Sequence, residues 1–218
     1  DKVYLSTNET GIDESSIQIF KGMHQGKLAP GASYYIQANL NLPSVEEGEY
    51  YVYVQTDVDN EVFELDTKTN NILKKENKIT VVKPDLTVQT EVAPEKIYSG
   101  NTHAIAWKLK NEGGTIKERN ITDRIFLSKN QDGSNPVPVA VISHVISLTE
   151  GEERTIYENI TFPYDSSLSG TYYLFVQTDN DNELKEKKKV NNLSAPREVQ
   201  CIYIPKPDIT LTNLSASA

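Results

Sequence analysis

The sequence predicts an all-β protein made of tandem immunoglobulin-like antiparallel β-sandwiches. Two features lead to this prediction: short segments in which apolar and polar residues alternate, and a long internal repeat. Residues Gly48–Val62 read GEYYVYVQTDVDNEV, and Gly170–Leu184 repeat them as GTYYLFVQTDNDNEL. A chain that carries one passage twice within 218 residues is a tandem repeat.

Other landmarks recur in the same order and give the period. Residues 1–6 (DKVYLS) return as 123–128 (DRIFLS), a shift of 122 residues. Residues 83–88 (KPDLTV) return as 206–211 (KPDITL), a shift of 123. The length of this period is that of a whole domain rather than the ~20–50 residues of a solenoid repeat. Each repeat is therefore expected to bury its own core.

The phase of the repeat predicts three pieces. Residues 83–205 form one complete repeat, and residues 206–218 correspond to the first strand of a further one. Residues 1–82 correspond to the later two-thirds of an earlier repeat and lack a counterpart of roughly 84–122. We therefore expect the chain to be a section of a longer array, with neighbouring repeats of the same polypeptide as its first partners.

Alternation with a period of two residues indicates the strands. In Thr102–Lys110, Ile105, Trp107 and Leu109 fall on one face, which is expected to be buried. Trp107, the only tryptophan, is interpreted as a core anchor rather than a ligand platform. Five further segments alternate similarly and are separated by turn-forming residues: 121–128, 139–146, 155–162, 172–178 and 198–204.

Composition excludes several classes of partner. A net charge of −9 disfavours nucleic acid and anionic membranes, which would be repelled over most of the surface. No apolar run approaches the ~18 residues that cross a bilayer, so we expect no membrane insertion by this segment. The single Cys201 cannot form an intrachain disulfide and is expected to be a small buried apolar residue on a strand.

Several motifs together carry a family resemblance. They are PDLTV at 84–88, DRIFLS at 123–128, GTYYLFV at 170–176 and the pair Asn191-Asn192 after an Asp-Asn-Glu turn. In this order and spacing they resemble CARDB, the cell-adhesion-related domain found in bacteria, over all of 84–205 and over the later part of the pattern in 1–82. The resemblance implies an immunoglobulin-like spacer or adhesive module of long secreted or cell-surface proteins, with no catalytic residues to carry over.

The Asp-Asn-Glu turn is the most chemically suggestive motif. Alternate carboxylates that leave a strand can converge on Ca²⁺, which takes six to eight oxygen ligands. The alternative is an Asx-rich turn, in which Asp and Asn side chains accept bonds from their own backbone amides. If only one repeat binds Ca²⁺, it should be the first, because its Asp66 aligns with Lys188 of the second. The candidate ligands are Asp57, Asp59 and Glu61 in the first repeat and Asp179, Asp181 and Glu183 in the second, followed by Glu64 and Glu186.

The sequence gives little support to catalysis. His24 and His144 occupy matching places, seven residues before Gly31 and Gly151, which indicates a packing or hydrogen-bonding role. One histidine in each repeat supplies too few nitrogen ligands for zinc, and no nucleophile, phosphate-binding or metalloprotease motif is present. We therefore predict that the chain is not an enzyme and has no cofactor apart from Ca²⁺.

Two functions remain. The favoured one is a structural or adhesive repeat of an extracellular, cell-surface protein, acting as a stalk, filament or adhesin spacer. The alternative is a module that binds a protein by strand addition, or a glycan through tyrosines, on a host or neighbouring cell. Other copies of the chain in a surface filament are also expected partners. Paired tyrosines such as Tyr50-Tyr51 and Tyr172-Tyr173 lie in predicted strands, where one of each pair must face the core.

Overall fold

The computed structural model describes residues 1–40, 42, 45–64 and 68–210. The chain divides into two compact units, Asp1–Lys83 (the first unit) and Pro84–Ala218 (the second unit). This boundary lies one residue beyond the predicted one. Of the predicted extra strand at 206–218, residues 206–210 lie outside any strand and the rest fall outside the described residues.

The first unit contributes one sheet. Its strands are antiparallel and run in the order β2-β1-β3-β4, with β5 also paired to β3. A short 3-10 turn, Lys68–Asn70, precedes β4. The strands are β1 (Lys2–Ser6), β2 (Ile17–Lys21), β3 (Gly48–Gln55), β4 (Ile72–Lys74) and β5 (Ile79–Val81).

The second unit is a sandwich of two sheets. One has five strands in the order β10-β9-β12-β13-β7, and the other has three in the order β11-β8-β6. All pairs are antiparallel except β13 with β7. The strands are β6 (Leu86–Val92), β7 (Lys96–Tyr98), β8 (Thr102–Asn111), β9 (Ile116–Ser128), β10 (Val137–Leu148), β11 (Glu153–Thr161), β12 (Gly170–Gln177) and β13 (Arg197–Ile202).

The core of the second unit confirms the predicted alternation. Ile105, Trp107 and Leu109 of β8 are buried on one face and pack in a cluster with Ile125 of β9 and Leu174 of β12. Side chains from both sheets therefore fill one core, as in immunoglobulin-like sandwiches.

A tyrosine at the start of the penultimate strand reinforces this architecture. The Tyr172 hydroxyl donates to the Ser167 carbonyl at 3.1 Å, and in the first unit the Tyr50 hydroxyl donates to the Glu46 carbonyl at 3.1 Å. Such a bond to the backbone a few residues upstream is the tyrosine corner of immunoglobulin-like domains. Both tyrosines are buried, whereas Tyr51 and Tyr173 are only partly covered, as the strand period requires.

The first unit lacks a strand that corresponds to β11 of the second unit. Residues 33–40, which correspond to β11, form no strand. In the second unit β11 pairs with β8, and residues 1–83 contain no counterpart of β8 to supply that ladder. A groove of about 380 Å³ lies between residues 33–40 and the sheet of the first unit. It is lined by Asp1, Val3, Phe20, Tyr34, Ile36, Ala38, Leu40, Val54 and Thr56.

The remaining features are the single cysteine and the search for a membrane-spanning helix. Cys201 is buried on β13, as predicted, and burial raises the pKa of its thiol to about 11. Within the ranges that the structure describes, no helix has the length and apolar character needed to span a bilayer.

Candidate functional site

The Asp-Asn-Glu turn has the same backbone conformation in both units. Asp57 and Asn60 have φ angles of 43° and 55°, and the equivalent Asp179 and Asn182 have 44° and 57°. Asp and Asn adopt this left-handed region more readily than other non-glycine residues. The repeated sequence therefore encodes one turn geometry twice.

The first Asp of each turn caps the backbone that follows it. Asp57 Oδ1 accepts from the amides of Glu61 at 2.8 Å and Val62 at 3.2 Å. Asp179 Oδ1 accepts from the amides of Glu183 at 2.8 Å and Leu184 at 3.3 Å. These are the bonds expected of the Asx-rich turn.

Three of the other predicted calcium ligands make separate contacts, and Glu61 is exposed. Asp59 Oδ2 lies 3.9 Å from Lys21 Nζ, Asp181 Oδ1 accepts from Asn180 Nδ2 at 2.7 Å, and Glu183 Oε1 accepts from Thr122 Oγ1 at 2.8 Å. Asp66 lies outside the described residues. Among those that are described, no group of three or more Asp, Glu, His or Cys side chains is arranged to hold a metal ion. The calcium site stays a prediction.

The fit of a cation differs between the two turns. Asp57 Oδ2 is buried and has no hydrogen-bond partner among the described residues, so one carboxylate oxygen is available in the first unit. Asp179 Oδ2 accepts from the Leu184 amide at 3.3 Å and from Lys189 Nζ at 3.4 Å. A cation in the second unit would have to displace that ammonium group.

Glu186 ties the second turn to the start of the domain. Its Oε2 accepts from the Leu86 amide of β6 at 2.5 Å, and its Oε1 accepts from Asn192 Nδ2 at 2.6 Å. Asn191 Nδ2 donates to Asp85 Oδ1 at 2.8 Å. The conspicuous Asn pair thus holds the turn and the first strand together. In the first unit, Asn71 Nδ2 donates to the equivalent Glu64 at 2.9 Å.

A second buried carboxylate, Asp123, lies beside this turn on β9. It accepts from Trp107 Nε1 and Thr178 Oγ1, both at 2.7 Å, and its Oδ2 lies 2.8 Å from His144 Nε2. The predicted hydrogen-bonding role of His144 is therefore observed. All these contacts are internal to the sandwich, so they stabilise the fold rather than face a ligand.

The first unit builds a related arrangement with different residues. The Tyr34 hydroxyl donates to Asp1 Oδ2 at 2.6 Å, and the His24 ring packs against the Tyr34 ring with 4.3 Å between centroids and a tilt of 36°. Asp1 is the counterpart of Asp123. In the first unit, therefore, Tyr34 lies between the histidine and the carboxylate that are in direct contact in the second unit.

Both repeated segments match one known family. The sequence profile of the CARDB family matches residues 1–75 and 83–196. The chain belongs to the CARDB family. CARDB domains are adhesion-related structural modules associated with bacterial cell-surface proteins, and the CARDB family is non-catalytic. No curated protein matches the chain.

Several solved structures are similar to part of this chain. A CARDB domain from Pyrococcus furiosus, solved in complex with di-metal ions, is 20% identical over 55% of this chain and 90% of its own, with a TM-score of 0.39. A beta-glucosidase from Listeria innocua in complex with glucose is 19% identical over 56% of this chain and 17% of its own, with a TM-score of 0.36. An alkylpurine DNA glycosylase from Pseudomonas fluorescens, bound to DNA, is 11% identical over 54% of this chain and 30% of its own, with a TM-score of 0.36.

Electrostatics couple the carboxylates of the second CARDB turn. Burial, together with the neighbouring Glu183 and Glu186 carboxyl groups, raises the pKa of Asp179 from 3.8 to about 7. Burial also raises the pKa of Glu186. Burial opposes ionisation of Glu183, but hydrogen bonds from Asp179 and Thr122 outweigh it and lower its pKa. The pKa of Asp179 therefore lies near neutrality, and its titration depends on the charge of the neighbouring carboxyl groups.

The turn of these CARDB repeats is evident from the sequence, but the role of Glu186 is not. In the sequence Glu186 is only a further acidic residue after the turn, although in the structure it bonds to an amide 100 residues away. Its recurrence as Glu64, in step with the Asn pair, was the available signal.

Proposed function

We propose that the chain is a structural repeat section of a long secreted or cell-surface protein of bacteria or archaea, acting as a stalk, filament or adhesin spacer. The observation that carries this proposal is the presence of two consecutive segments of one adhesion-related family. Prolines flank both junctions, at Lys83-Pro84 and Pro205-Lys206-Pro207. Proline-containing linkers limit bending, which suits a spacer.

The internal use of polar groups supports the same proposal. The most buried carboxylate of the second unit, Asp123, is in hydrogen-bond contact with three side chains of the sandwich. The tyrosine hydroxyls at Tyr53 and Tyr172 bond to nearby backbone carbonyls. These carboxylate and hydroxyl groups bond within the fold, so they are not presented to a glycan, which favours the spacer over the ligand-binding alternative and over an enzyme.

Electron microscopy of the parent protein tests the spacer role. A stalk predicts an elongated particle whose length falls by one domain when residues 84–205 are deleted. A compact particle, or one whose length is unchanged by the deletion, would contradict the proposal.

Calcium is proposed as a stiffening ion of the array. The candidate ligands are Asp57, Asp59 and Glu61 in the first unit and Asp179, Asp181 and Glu183 in the second. The unpartnered Asp57 Oδ2 supports the first unit as the stronger site, and Lys189 beside Asp179 argues that the second is weaker. Carboxylate and carbonyl oxygens are the ligands that Ca²⁺ prefers.

Thermal unfolding with excess Ca²⁺ and with chelator tests this proposal. Binding to the folded state alone should raise the melting temperature of the first unit. Asp57→Ala combined with Asp59→Ala should remove that gain. Glu14→Ala combined with Glu76→Ala is the matched control, because it removes two exposed carboxylates of the same unit outside the turn. A gain that survives the first pair would place the ion elsewhere.

A further inference from the structure

The β10 strand (Val137–Leu148) is a long sheet edge without formal charge. It lies at the end of the five-stranded sheet, and within the described part of the chain its one strand partner is β9. Its 12 residues, VPVAVISHVISL, include no Asp, Glu, Lys or Arg, in a chain with 53 such residues. Edge strands usually carry charges that block pairing with another chain. The opposite sheet's edge β11 does so, with Glu153, Arg154 and Glu158.

Backbone contacts show which residues of β10 present hydrogen-bonding groups to the open edge. The Thr122 carbonyl accepts from the Asn180 amide at 2.8 Å, so the backbone groups of Thr122 face away from β10. Thr122 is the register partner of Ser143. In an antiparallel ladder this makes a non-hydrogen-bonded pair, and the amide and carbonyl of Ser143 therefore point outward.

An independent contact gives the same orientation two residues along the strand. Arg154 Nη1 donates to the Val145 carbonyl at 2.8 Å, so this carbonyl also lies on the open side. The register with β9 is regular from Ala140 to Ile146. Val141, Ser143 and Val145 therefore all offer their backbone groups to a further strand.

The side chains of these same residues, two valines and a serine, are all exposed. Val141 is 62% exposed and Val145 is 56% exposed, whereas the alternate Ile142 and His144 point toward the sandwich interior and are partly buried. An edge with outward-facing backbone groups and exposed valines is suited to strand addition.

We propose that β10 is a self-association edge, at which two copies of the chain pair β10 to β10 in antiparallel fashion about a two-fold axis at Ser143. In this register Ser143 faces Ser143 of the second copy, and Val141 faces Val145 in both directions. All of these residues carry outward backbone groups, so each pairing is a hydrogen-bonded one. The side chains stay on the same face, where the valines of the two copies cover one another.

A second copy fits this edge better than an unrelated partner does. A two-fold interface requires a self-complementary surface, and the reversed strand places valine against valine and serine against serine. The absence of charge matters because each chain carries a net charge of −9, and a charged edge would add like-charge contacts to that repulsion.

The pairing of one strand is expected to be weak. A single edge contact buries less than the ~1,200–2,000 Å² of a stable interface. Arg154 must also swing away from the Val145 carbonyl before the second copy binds. In a repeat array, however, several such edges would act together and raise the overall affinity without any new contact. This inference does not require the chain to lie on a cell surface, so it stands or falls separately from the proposed function.

Sedimentation velocity of the full chain over a concentration series up to about 1 mM tests the proposal. The wild type should show a monomer–dimer equilibrium. Val141→Lys combined with Val145→Lys should weaken dimerisation at least tenfold, because four ammonium groups would meet across the axis. Arg154→Ala should strengthen it. Tyr157→Lys is the matched control, since Tyr157 is 74% exposed on β11, and should leave dimerisation unchanged.

Cysteine cross-linking checks the register. Ser143→Cys should cross-link with a short thiol-to-thiol reagent, whereas Tyr157→Cys should not; the native Cys201 is buried. A chain that remains monomeric throughout the series would overturn the proposal. So would a double lysine variant that keeps its native circular dichroism and dimerises like the wild type. Loss of dimerisation on Ile36→Lys alone would assign the contact to the groove of the first unit instead.

Discussion

Asp179→Asn is expected to remove a pH-dependent loss of stability from the second unit. Folding raises the pKa of this carboxyl group from 3.8 to about 7, chiefly because the side chain is buried. A group with a raised folded-state pKa contributes stability that is fully present below about pH 4 and is lost as the pH rises through about 7. Asparagine keeps the Oδ1 acceptor for the Glu183 and Leu184 amides but cannot ionise.

The size of the effect follows from the same shift. At 1.36 kcal/mol per pKa unit, the difference corresponds to about 4 kcal/mol lost on going from pH 4 to above pH 7. The lowered pKa of Glu183 works in the opposite sense, so the net loss should be smaller. The variant should accordingly be more stable than the wild type at pH 8.5 by roughly 1–3 kcal/mol and similar to it at pH 4.5.

Urea unfolding followed by tryptophan fluorescence measures this difference directly. Trp107 is the only tryptophan and is buried in the second unit, so its emission reports that unit alone. Asp181→Asn is the matched control, because it neutralises an exposed carboxylate of the same turn. Equal losses of stability in the wild type and Asp179→Asn between pH 4.5 and 8.5 would refute the reasoning.

Three further predictions concern the core of the second unit. Trp107→Phe leaves Asp123 with one donor fewer and removes the fluorescent reporter, so its urea unfolding is followed by circular dichroism. The free energy of unfolding should fall by at least about 2 kcal/mol, since bonds to buried charged groups are costly to lose; an unchanged midpoint would contradict this. Tyr172→Phe breaks the bond to the Ser167 carbonyl and should cost about 1 kcal/mol in the same assay, whereas an unaltered or raised stability would mean that the corner is dispensable. Cys201, with its raised pKa, should resist iodoacetamide at pH 8 until the chain unfolds; rapid modification of the native protein, seen by mass spectrometry, would show that the thiol is accessible.

Much of the fold follows from local patterns in the sequence. A strand with one buried face must alternate every second residue, and this fixed Thr102–Lys110 to within one residue of β8. From β9 onward, the repeat then predicts corresponding strands in residues 1–82. The exception is 33–40, which has the sequence position of β11 but no β8 beside it, because a strand also needs a partner to form its ladder.

The candidate site was harder to predict because its contacts join distant residues. The Glu186 bond to the Leu86 amide spans 100 residues, and no local pattern shows which of several nearby carboxylates turns inward. The Asx cap at Asp179, by contrast, involves amides only four and five residues away and was foreseeable from residue type. The free edge of β10 likewise depends on sheet order, which alternation does not encode.

The position of the chain relative to the cell envelope is the central claim, and antibody labelling of intact cells tests it most directly. Antibodies against the folded second unit should label unpermeabilised cells of the source organism, and brief protease treatment of those cells should remove the label. Labelling that appears only after permeabilisation would place the repeats inside the cell and contradict their role as a surface stalk.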